Sequence, residues 1–403
     1  MTNITEIDGG VTAAQGFEAA GIYCGIRKAK KDIAIIRSIV PATVAAVFTQ
    51  NKILAAPIVL NKKVLEHTST CSVIIVNSGN ANACTGDNGY NDAKRMVELT
   101  AESLGISVNE VLVASTGVIG KFLPMEALER GIPEVARLLS VSGSQDAAEA
   151  IMTTDTFSKS VAVIFMIGGK KITIGGIAKG SGMIEPNMAT MLAFITTDAN
   201  IEKPLLQTIF SKSVNHSFNC ISVDGDMSTN DMAVVLANGL AQNKLIVAES
   251  DEADVFEIGL DYVLTTLAKM IARDGEGATK LIEVNVEGAS SYADAVSAAR
   301  SVANSNLVKT AIHGEDGNWG RVIAALGYSG AELIPEFIEL SINNLPILGK
   351  GFAVLMDEEK TKLALSKQDI LLSINLNVGT DSAVFWTCDL SKDYVHINAS
   401  YRS

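Results

Sequence analysis

The sequence is poor in positive charge. Among its 403 residues, 32 are lysine or arginine and 45 are aspartate or glutamate, which gives a net charge of −13. Binding to nucleic acid or to an anionic membrane surface requires a basic face, so we expect neither kind of partner. Small anionic substrates are not excluded, because a few local groups are enough to bind them.

Paired cysteines and clustered histidines are also missing. The five cysteines are scattered without C-x-x-C spacing, and the four histidines lie far apart without an H-E-x-x-H pattern. This usage is typical of reduced thiols and not of a disulfide framework or a zinc site. We therefore expect a cytoplasmic protein without a metal.

Long apolar runs are absent as well. No run approaches the roughly 18 residues that a membrane-spanning helix needs, and the first residues, MTNITEIDGGVT, have neither the basic nor the apolar region of a signal peptide. What the sequence does contain is 48% hydrophobic residues, 33 glycines and only 5% aromatics. This composition and length are typical of an α/β enzyme with two or three lobes.

Apolar periodicity predicts alternating strands and helices. Strands are predicted at residues 32–38, 44–50, 57–63, 72–77, 111–114, 161–167 and 171–178, and helices at 91–104, 124–139, 204–218 and 251–273. From about residue 280 we expect strand, helix and strand (LIEVNVEG, SYADAVSAARSVA, LVKTAIHG), followed by three late strands that end in YVHINASYRS.

The stretch KGSGMIEPNMATMLAFITTD, from Lys179 to Asp198, combines a glycine-rich loop with an apolar run of strand length. Thr190 stands where the loop passes into the strand. A threonine there can act as a nucleophile if cleavage of the Ala189–Thr190 bond frees its α-amine to serve as the base. A plainer alternative stays open, because β-branched residues often begin strands and Gly-Ser-Gly runs are often simple loops.

Two further segments are dense in small polar residues. NSGNANACTG (77–86) follows a predicted central strand and forms either a tight hydrogen-bonded loop or a wall of the site. Thr116 and Gly117 end the next strand, where a hydroxyl and a backbone N–H could hold an oxyanion. An ordinary turn is the alternative for this pair.

Acidic side chains mark two other loops. Asp224 and Asp226 lie in SVDGDMSTND, whose spacing does not complete an EF-hand, so we expect a turn capped by an aspartate. Glu276 follows the end of the 251–273 helix, in RDGEG. Its carboxylate could bind a substrate ammonium or relay a proton, or could simply be solvated.

The run KGSGMIEPNMATMLAFITTDA resembles the self-cleavage segment of the ornithine acetyltransferase (glutamate N-acetyltransferase) family of arginine biosynthesis. NSGNANACTG, SVDGDMSTND and GEDGNWGR resemble further motifs of that family in the same order, so the resemblance covers essentially the whole chain. The sequence departs from the family pattern at Met227, where threonine is more frequent, and at Gly317, where proline is usual.

The resemblance implies an α/β fold, a layered αββα-type sandwich of the ornithine acetyltransferase/DmpA-like kind with a C-terminal α/β lobe from about 280 to 403. It also implies self-cleavage between Ala189 and Thr190 into an α chain of residues 1–189 and a β chain of residues 190–403. Two copies of each chain are expected to form a heterotetramer.

The implied reaction is a ping-pong transfer of acetyl from N-acetyl-L-ornithine to L-glutamate through an acetyl group on Thr190, with Thr116 and Gly117 as the oxyanion hole. The substrate-binding positions that carry over are Thr153, Lys179, Thr190, Glu276, Asn398 and Ser403. No cofactor is implied. Some members of the family accept acetyl-CoA as donor, and the sequence does not distinguish them.

Two other functions stay open. An amidohydrolase or aminopeptidase with the same N-terminal nucleophile would use water in place of glutamate. A non-catalytic member of the family would stay uncut and carry no acetyl group.

Overall fold

The computed structural model describes residues 3–185 and 191–400, which divide into two units. The larger unit comprises the described residues within Met1–Gly180, Pro186–Asn219 and Asp226–Leu267, and the smaller unit comprises those within Ser181–Glu185, Cys220–Gly225 and Ala268–Ser403. Each unit combines a β-sheet with α-helices, so the predicted α/β class is confirmed.

In the described part of the larger unit, nine strands form one sheet with the order β1-β6-β7-β8-β9-β3-β4-β5, and β2 pairs with β3. The strands are β1 (Thr5–Ile7), β2 (Phe17–Ile22), β3 (Ile33–Phe48), β4 (Thr70–Asn80), β5 (Val111–Val118), β6 (Lys159–Ile167), β7 (Lys170–Lys179), β8 (Leu192–Thr197) and β9 (Met232–Ala237). The helices are α1 (Ala56–His67), α2 (Gly86–Leu104), α3 (Met125–Arg137), α4 (Ser144–Ala150), α5 (Lys203–Asn215) and α6 (Asp251–Arg273), the last counted here up to Leu267.

Strand β4 shows why an uninterrupted apolar run predicts a central strand. Val73 and Ile75 belong to one hydrophobic cluster, whereas Ile74 and Val76 belong to another. Because successive side chains point to opposite faces, a strand that is covered on both faces needs apolar residues at every position. The prediction for 72–77 is confirmed.

Among the strand predictions in the first 70 residues, two segments are confirmed but are joined, and a third was wrong. Segments 32–38 and 44–50 are one strand, β3, whose register with β4 shifts between Arg37 and Ala42. The shift contains Pro41, which has no N–H for the ladder. Segment 57–63 is helix α1, with proline in its first turn, where proline is tolerated. A short apolar run such as PIVL does not distinguish strand from helix.

The elements on either side of the glycine-rich loop were predicted correctly. Strands β6 and β7 form a hairpin that pairs from Ile167↔Lys170 to Lys159↔Ala178, and β7 ends at Lys179. Strand β8 is buried at every position and pairs in parallel with β9, starting at Leu192↔Met232. The chain therefore enters and leaves residues 180–191 through two neighbouring strands of one sheet.

In the smaller unit, the described residues form six strands in the order β13-β12-β11-β14-β10-β15. These are β10 (Leu281–Ala289), β11 (Glu339–Ile342), β12 (Leu345–Gly349), β13 (Ala353–Val354), β14 (Asp369–Asn375) and β15 (Asp381–Cys388). The helices are α7 (Tyr292–Asn304), α8 (Asn306–His313), α9 (Trp319–Gly327), α10 (Glu358–Leu365) and α11 (Lys392–Ala399).

Two late segments predicted as strands are helices. LVKTAIHG lies in α8 and YVHINA lies in α11. Each helix begins after a serine whose side chain accepts a backbone N–H, Ser305 from Val308 and Ser391 from Asp393. These N-caps pair backbone N–H groups that the start of a helix leaves without a partner. The two serines are therefore the local sequence signal for a helix, which the apolar pattern alone did not give.

The longest helix in the described part of the chain is α6, with 23 residues. Neither it nor any other helix in 3–185 and 191–400 combines the length and apolar character that crossing a bilayer requires.

Candidate active site

Two predicted site residues are in contact in the larger unit. The Lys179 ammonium, at the end of β7, donates to the Thr116 hydroxyl near the end of β5, with Nζ 3.2 Å from Oγ1. Both residues are buried, with 4% and 8% of their surface exposed. A buried ammonium next to a hydroxyl can bind a carboxylate or stabilise a developing oxyanion.

Gly117 follows Thr116 in a conformation that excludes a side chain. Its φ is +131°, and a Cβ built there would lie 2.3 Å from the carbonyl carbon of Gly79 and 2.5 Å from the backbone nitrogen of Asn80. Both the dihedral angle and the space therefore require glycine. The end of β5 thus presses directly on the end of β4.

Buried amide side chains hold these two strand ends. The Ser115 hydroxyl donates to Asn77 Oδ1 at 2.6 Å. Asn230 Nδ2 donates to the carbonyls of Ser115 and Ala81, at 2.8 and 2.6 Å. The sequence did not identify Asn230, which precedes β9 and fixes the backbone next to Thr116.

The segment 77–86 has the structural role that its composition predicts. Asn80 accepts from the Asn82 backbone N–H at 2.8 Å and donates to the carbonyl of Phe122 at 2.9 Å. Asn82 donates to the carbonyl of Gly89 at 2.8 Å. The side chains of these two asparagines bind backbone groups, as expected for a tight hydrogen-bonded loop.

Asp155, which the sequence analysis missed, joins Thr153 to the Lys179 segment. One carboxylate oxygen accepts from Lys159 Nζ and from the backbone N–H of Gly180, both at 2.7 Å, and the other accepts from the N–H of Thr153 at 2.9 Å. Burial by itself raises the pKa of Asp155, but the charges of Lys179 and Lys159 outweigh it and hold this pKa below its usual range.

Arg27 holds Thr153 from the other side. Its guanidinium donates to the carbonyls of Met152 and Thr153, at 2.7 and 3.1 Å. The loop that carries Arg27 is itself wrapped around the buried Asp32 carboxylate, which accepts four backbone N–H groups from residues 24–27. Thr153 therefore has a fixed backbone, as a binding position requires.

In the smaller unit, the predicted residues Glu276 and Asn398 are in contact. Asn398 Nδ2, on α11, donates to Glu276 Oε2 at 2.7 Å. Glu276 is 7% exposed, and its backbone N–H donates to the carbonyl of Ser181 at 2.8 Å. The interpretation of Glu276 as a solvated loop residue was wrong, because the turn after α6 faces inward.

The glycine-rich loop fits closely around this carboxylate. A Cβ at Gly182 would lie 2.4 Å from both Cδ and Oε2 of Glu276. The Ser181 hydroxyl donates to the carbonyl of Asp274 at 2.6 Å. Serine and glycine in this loop are therefore explained by their contacts within the smaller unit.

Asp224 was expected to cap a turn of its own loop. Its carboxylate instead accepts from the backbone N–H groups of Met183 and Ile184, at 2.7 and 2.8 Å. A carboxylate that accepts from two adjacent backbone N–H groups stabilises the backbone conformation in which both N–H groups point toward it. Asp224 thus helps to fix the chain shortly before residue 186.

The structure brings the predicted residues together in two groups, one in each unit. Ala189 and Thr190, the cleavage pair, and Ser403 lie outside the described residues. The larger unit carries Thr116, Gly117, Thr153 and Lys179, and the smaller unit carries Glu276 and Asn398. Within 3–185 and 191–400, no cluster of three or more histidine, cysteine, aspartate or glutamate side chains has an arrangement that could hold a metal ion.

The model of the ArgJ family matches residues 18–403. The arginine biosynthesis bifunctional protein ArgJ of Caldanaerobacter subterraneus subsp. tengcongensis is 50% identical over 401 residues, 98% of this chain and 99% of that protein. The protein of the same name from Symbiobacterium thermophilum is 51% identical over 398 residues, with the same coverage of 98% and 99%. A crystal structure of the ArgJ protein of Bacillus halodurans is 43% identical and covers 46% of this chain and 98% of its own, with a TM-score of 0.44.

Proposed function

Because this chain belongs to the ArgJ family, we propose that it transfers the acetyl group of N-acetyl-L-ornithine to L-glutamate in arginine biosynthesis. The relatives are named bifunctional. Acetyl-CoA is accordingly the second donor, from which the same site makes N-acetylglutamate. Acetyl-CoA acts as a substrate, and the reaction uses no bound cofactor.

The chemistry begins with Thr190 as the amino terminus of the β chain. Its hydroxyl oxygen bonds to the acetyl carbon of N-acetylornithine while the hydroxyl proton passes to its own α-amine. The resulting ammonium returns the proton to the ornithine nitrogen as the C–N bond breaks. Glutamate then attacks the acetyl-threonine by the reverse sequence, which gives N-acetylglutamate and restores the free hydroxyl.

The observation that carries this assignment is the buried contact between Lys179 and Thr116, next to Gly117, whose positive φ and close backbone neighbours leave no room for a Cβ. Negative charge develops on the acetyl oxygen in the transition state, and donors that are already fixed stabilise it without reorganisation. We assign the oxyanion hole to Thr116 and Gly117. Lys179 binds a substrate carboxylate.

The remaining assignments concern the amino-acid part of the substrates. The Glu276 carboxylate, oriented by Asn398, binds the amino group of ornithine. Thr153 contributes through its fixed backbone. Ser403 is assigned on the family resemblance alone.

Cleavage between Ala189 and Thr190 divides the chain into an α chain of residues 1–189 and a β chain of residues 190–403, which includes the C-terminal lobe. Two of each form a heterotetramer in the cytoplasm. The order of β7 and β8 supports this site, because both flanking strands are hydrogen-bonded neighbours and stay in the sheet after the cut.

The test is mass spectrometry of denatured protein together with an acetyl-transfer assay. Wild type should give two masses split after Ala189 and should produce N-acetylglutamate. Thr190→Ala should stay a single chain without activity, whereas Thr190→Ser, which keeps a hydroxyl, should still be cut. Cleavage of Thr190→Ala, or an acetyl group found on another side chain, would contradict the proposal. Release of acetate in place of N-acetylglutamate would favour the hydrolase.

A further inference from the structure

Asp231 is a fully buried acid that the proposed mechanism does not use. It immediately precedes β9 and is 1% exposed. Its backbone carbonyl accepts from the N–H of Thr49 at 3.0 Å. In contrast to this paired backbone carbonyl, neither oxygen of the side-chain carboxyl group has a hydrogen-bond partner among the residues that the structure describes.

A buried carboxyl group without a partner is costly, and nearly all buried polar groups are paired. Burial raises the pKa of Asp231 well above its usual range, while the Met191 N–H, the Thr49 hydroxyl and the charge of Lys179 act in the opposite direction. The Thr49 hydroxyl is already committed, since it donates to the carbonyl of Ser228 at 2.8 Å.

The position of this group in the chain is what suggests its role. The backbone of Met191 pairs next to Asp231, because the Met191 carbonyl accepts from the N–H of Met232 at 3.1 Å. The Met191 nitrogen is bonded to the Thr190 carbonyl carbon. In any conformation, covalent geometry keeps consecutive backbone nitrogens within about 4 Å of each other.

We propose that the Asp231 carboxyl group positions the Thr190 α-amine and stabilises the ammonium that forms when this amine takes the hydroxyl proton. The inference rests on the proposed function. Nucleophile, base and a third group that orients the base form the general arrangement of activated hydroxyl nucleophiles. Here the base exists only after cleavage, so the carboxyl group stays unpartnered until its partner is made.

In this step the proton moves from Thr190 Oγ to the α-nitrogen as the bond between oxygen and acetyl carbon forms. Asp231 neither gains nor loses a proton in this step: the charge of Lys179 and the new ammonium act against the effect of burial on its pKa, so the pair is carboxylate and ammonium. Its negative charge favours the ammonium and therefore raises the pKa of the amine. On departure of ornithine the same proton goes to the leaving nitrogen, and the amine is neutral again.

Other buried aspartates of the larger unit show that this arrangement is specific. Asp155 is paired with Lys159 and two backbone N–H groups. Asp198, which follows β8 at its other end, accepts from the N–H groups of Thr173 and Gln15, at 2.8 and 3.3 Å. Asp198 has the structural role that Asp231 lacks, and it provides a matched control.

The experiment compares Asp231→Asn, Asp231→Glu and Asp198→Asn in the cleaved, assembled enzyme. The pH dependence of kcat/KM for acetyl transfer from N-acetylornithine is measured for each. Asp231→Asn should still be cut after Ala189, because the amine has no role before cleavage. Its maximal kcat/KM should fall on the order of a hundredfold, and the acidic limb should move to lower pH by about one unit, because the amine loses a negative neighbour.

In Asp231→Glu the acidic limb of the pH profile of kcat/KM should stay near its wild-type position, and Asp198→Asn should not move it. A limb that stays in place in Asp231→Asn would overturn the inference, as would a folded Asp231→Asn chain that remains uncut. If Asp231→Asn does not fold, Asp231→Ser provides the same comparison without a carboxyl group. The proposed function fails separately, through an active Thr190→Ala variant or an uncut wild-type chain.

Discussion

The two groups of candidate residues are held in different ways. In the larger unit, Lys179 and Asp155 are buried charged groups, and Asp155 is bonded to a second buried charge, Lys159. In the smaller unit, the Glu276 carboxylate is held by the neutral amide of Asn398 on an exposed helix. Both carboxylates are buried, but the first is held by buried charges and the second by a neutral amide on an exposed helix.

This difference predicts different consequences of mutation. Removing one partner of a buried ion pair leaves an uncompensated charge, which costs several times more than losing one hydrogen bond. Substitutions in the larger unit should therefore act on folding as well as on catalysis. Substitutions around Glu276 should act mainly on substrate binding.

The largest effect on stability is expected for Asp155→Asn. Lys159 would stay buried beside a neutral amide, so the free energy of unfolding should fall by about 3–5 kcal/mol. Urea denaturation followed by circular dichroism measures the loss. The control is Asp146→Asn, which breaks an exposed ion pair with Lys31 and should cost less than about 1 kcal/mol. Equal losses in the two variants would remove the distinction between the two regions.

The same carboxylate makes a pH prediction. The folded pKa of Asp155 lies below its unfolded value of about 3.9. Its contribution to stability is therefore complete above the unfolded pKa and is lost as the pH falls toward the folded pKa. The unfolding free energy of wild type should drop more steeply below about pH 4 than that of Asp155→Asn. Parallel acid-unfolding curves would contradict the shift.

The largest effect on activity is expected for Gly117→Ala, together with some loss of stability. The new Cβ would meet the Gly79 carbonyl carbon at 2.3 Å, so the end of β5 has to move and the oxyanion donors with it. Acetyl transfer should fall by about 10²–10³ in kcat, as for the loss of one oxyanion donor. Gly120→Ala is the control, because Gly120 also has a positive φ, +80°, but no described atom lies within 4 Å of its Cβ position. Similar losses would indicate that strain, and not the close approach, is responsible.

Asn398→Ala tests the smaller unit. The Glu276 carboxylate would lose its amide donor at 2.7 Å, and a hydrogen bond to a charged group is worth about 1.5–3 kcal/mol. We expect KM for N-acetylornithine to rise on the order of tenfold with kcat close to wild type, and the free energy of unfolding to fall by less than in Asp155→Asn. Asn285→Ala, which removes an amide donor to the exposed Glu287 at 2.9 Å, should change neither constant. A loss of stability in Asn398→Ala as large as that in Asp155→Asn would show that the contact between Asn398 and Glu276 is mainly structural.

The elements that the sequence predicted well are those whose pattern is long or bounded. Helix α6 was predicted with the bounds that the structure shows, because its apolar stripe repeats over six turns. The β6–β7 hairpin was marked by two glycines between two alternating strands. Helices α1, α8 and α11 were missed, since a short apolar run fits the period of a helix as well as that of a strand. The N-caps of α8 and α11 are single serine side chains, and α1 has no side-chain cap.

The supporting residues of the site were harder to predict for a different reason. The contact from Asn230 to the Ser115 carbonyl spans 115 positions in the chain, and that from Asp155 to Gly180 spans 25. An asparagine or aspartate that binds a distant backbone group has the same local pattern as one that caps a turn. Family motifs supplied the residues expected to touch substrate, and only the fold supplied those that hold them.

The smallest effect in this series is expected for Gly182→Ala, and it separates positioning of Glu276 from its charge. The added methyl group would meet the end of the Glu276 side chain, 2.4 Å from Cδ. Such an end can swing away by rotation about its single bonds, at a cost of about 1 kcal/mol, while the fold stays intact. KM for N-acetylornithine should therefore rise only a fewfold, less than in Asn398→Ala, with unchanged thermal stability. The double variant Gly182→Ala/Asn398→Ala should be no worse than Asn398→Ala alone, because both changes release the same carboxylate. If the increases in KM of the two single variants multiply in the double variant, Gly182 and Asn398 act on different groups.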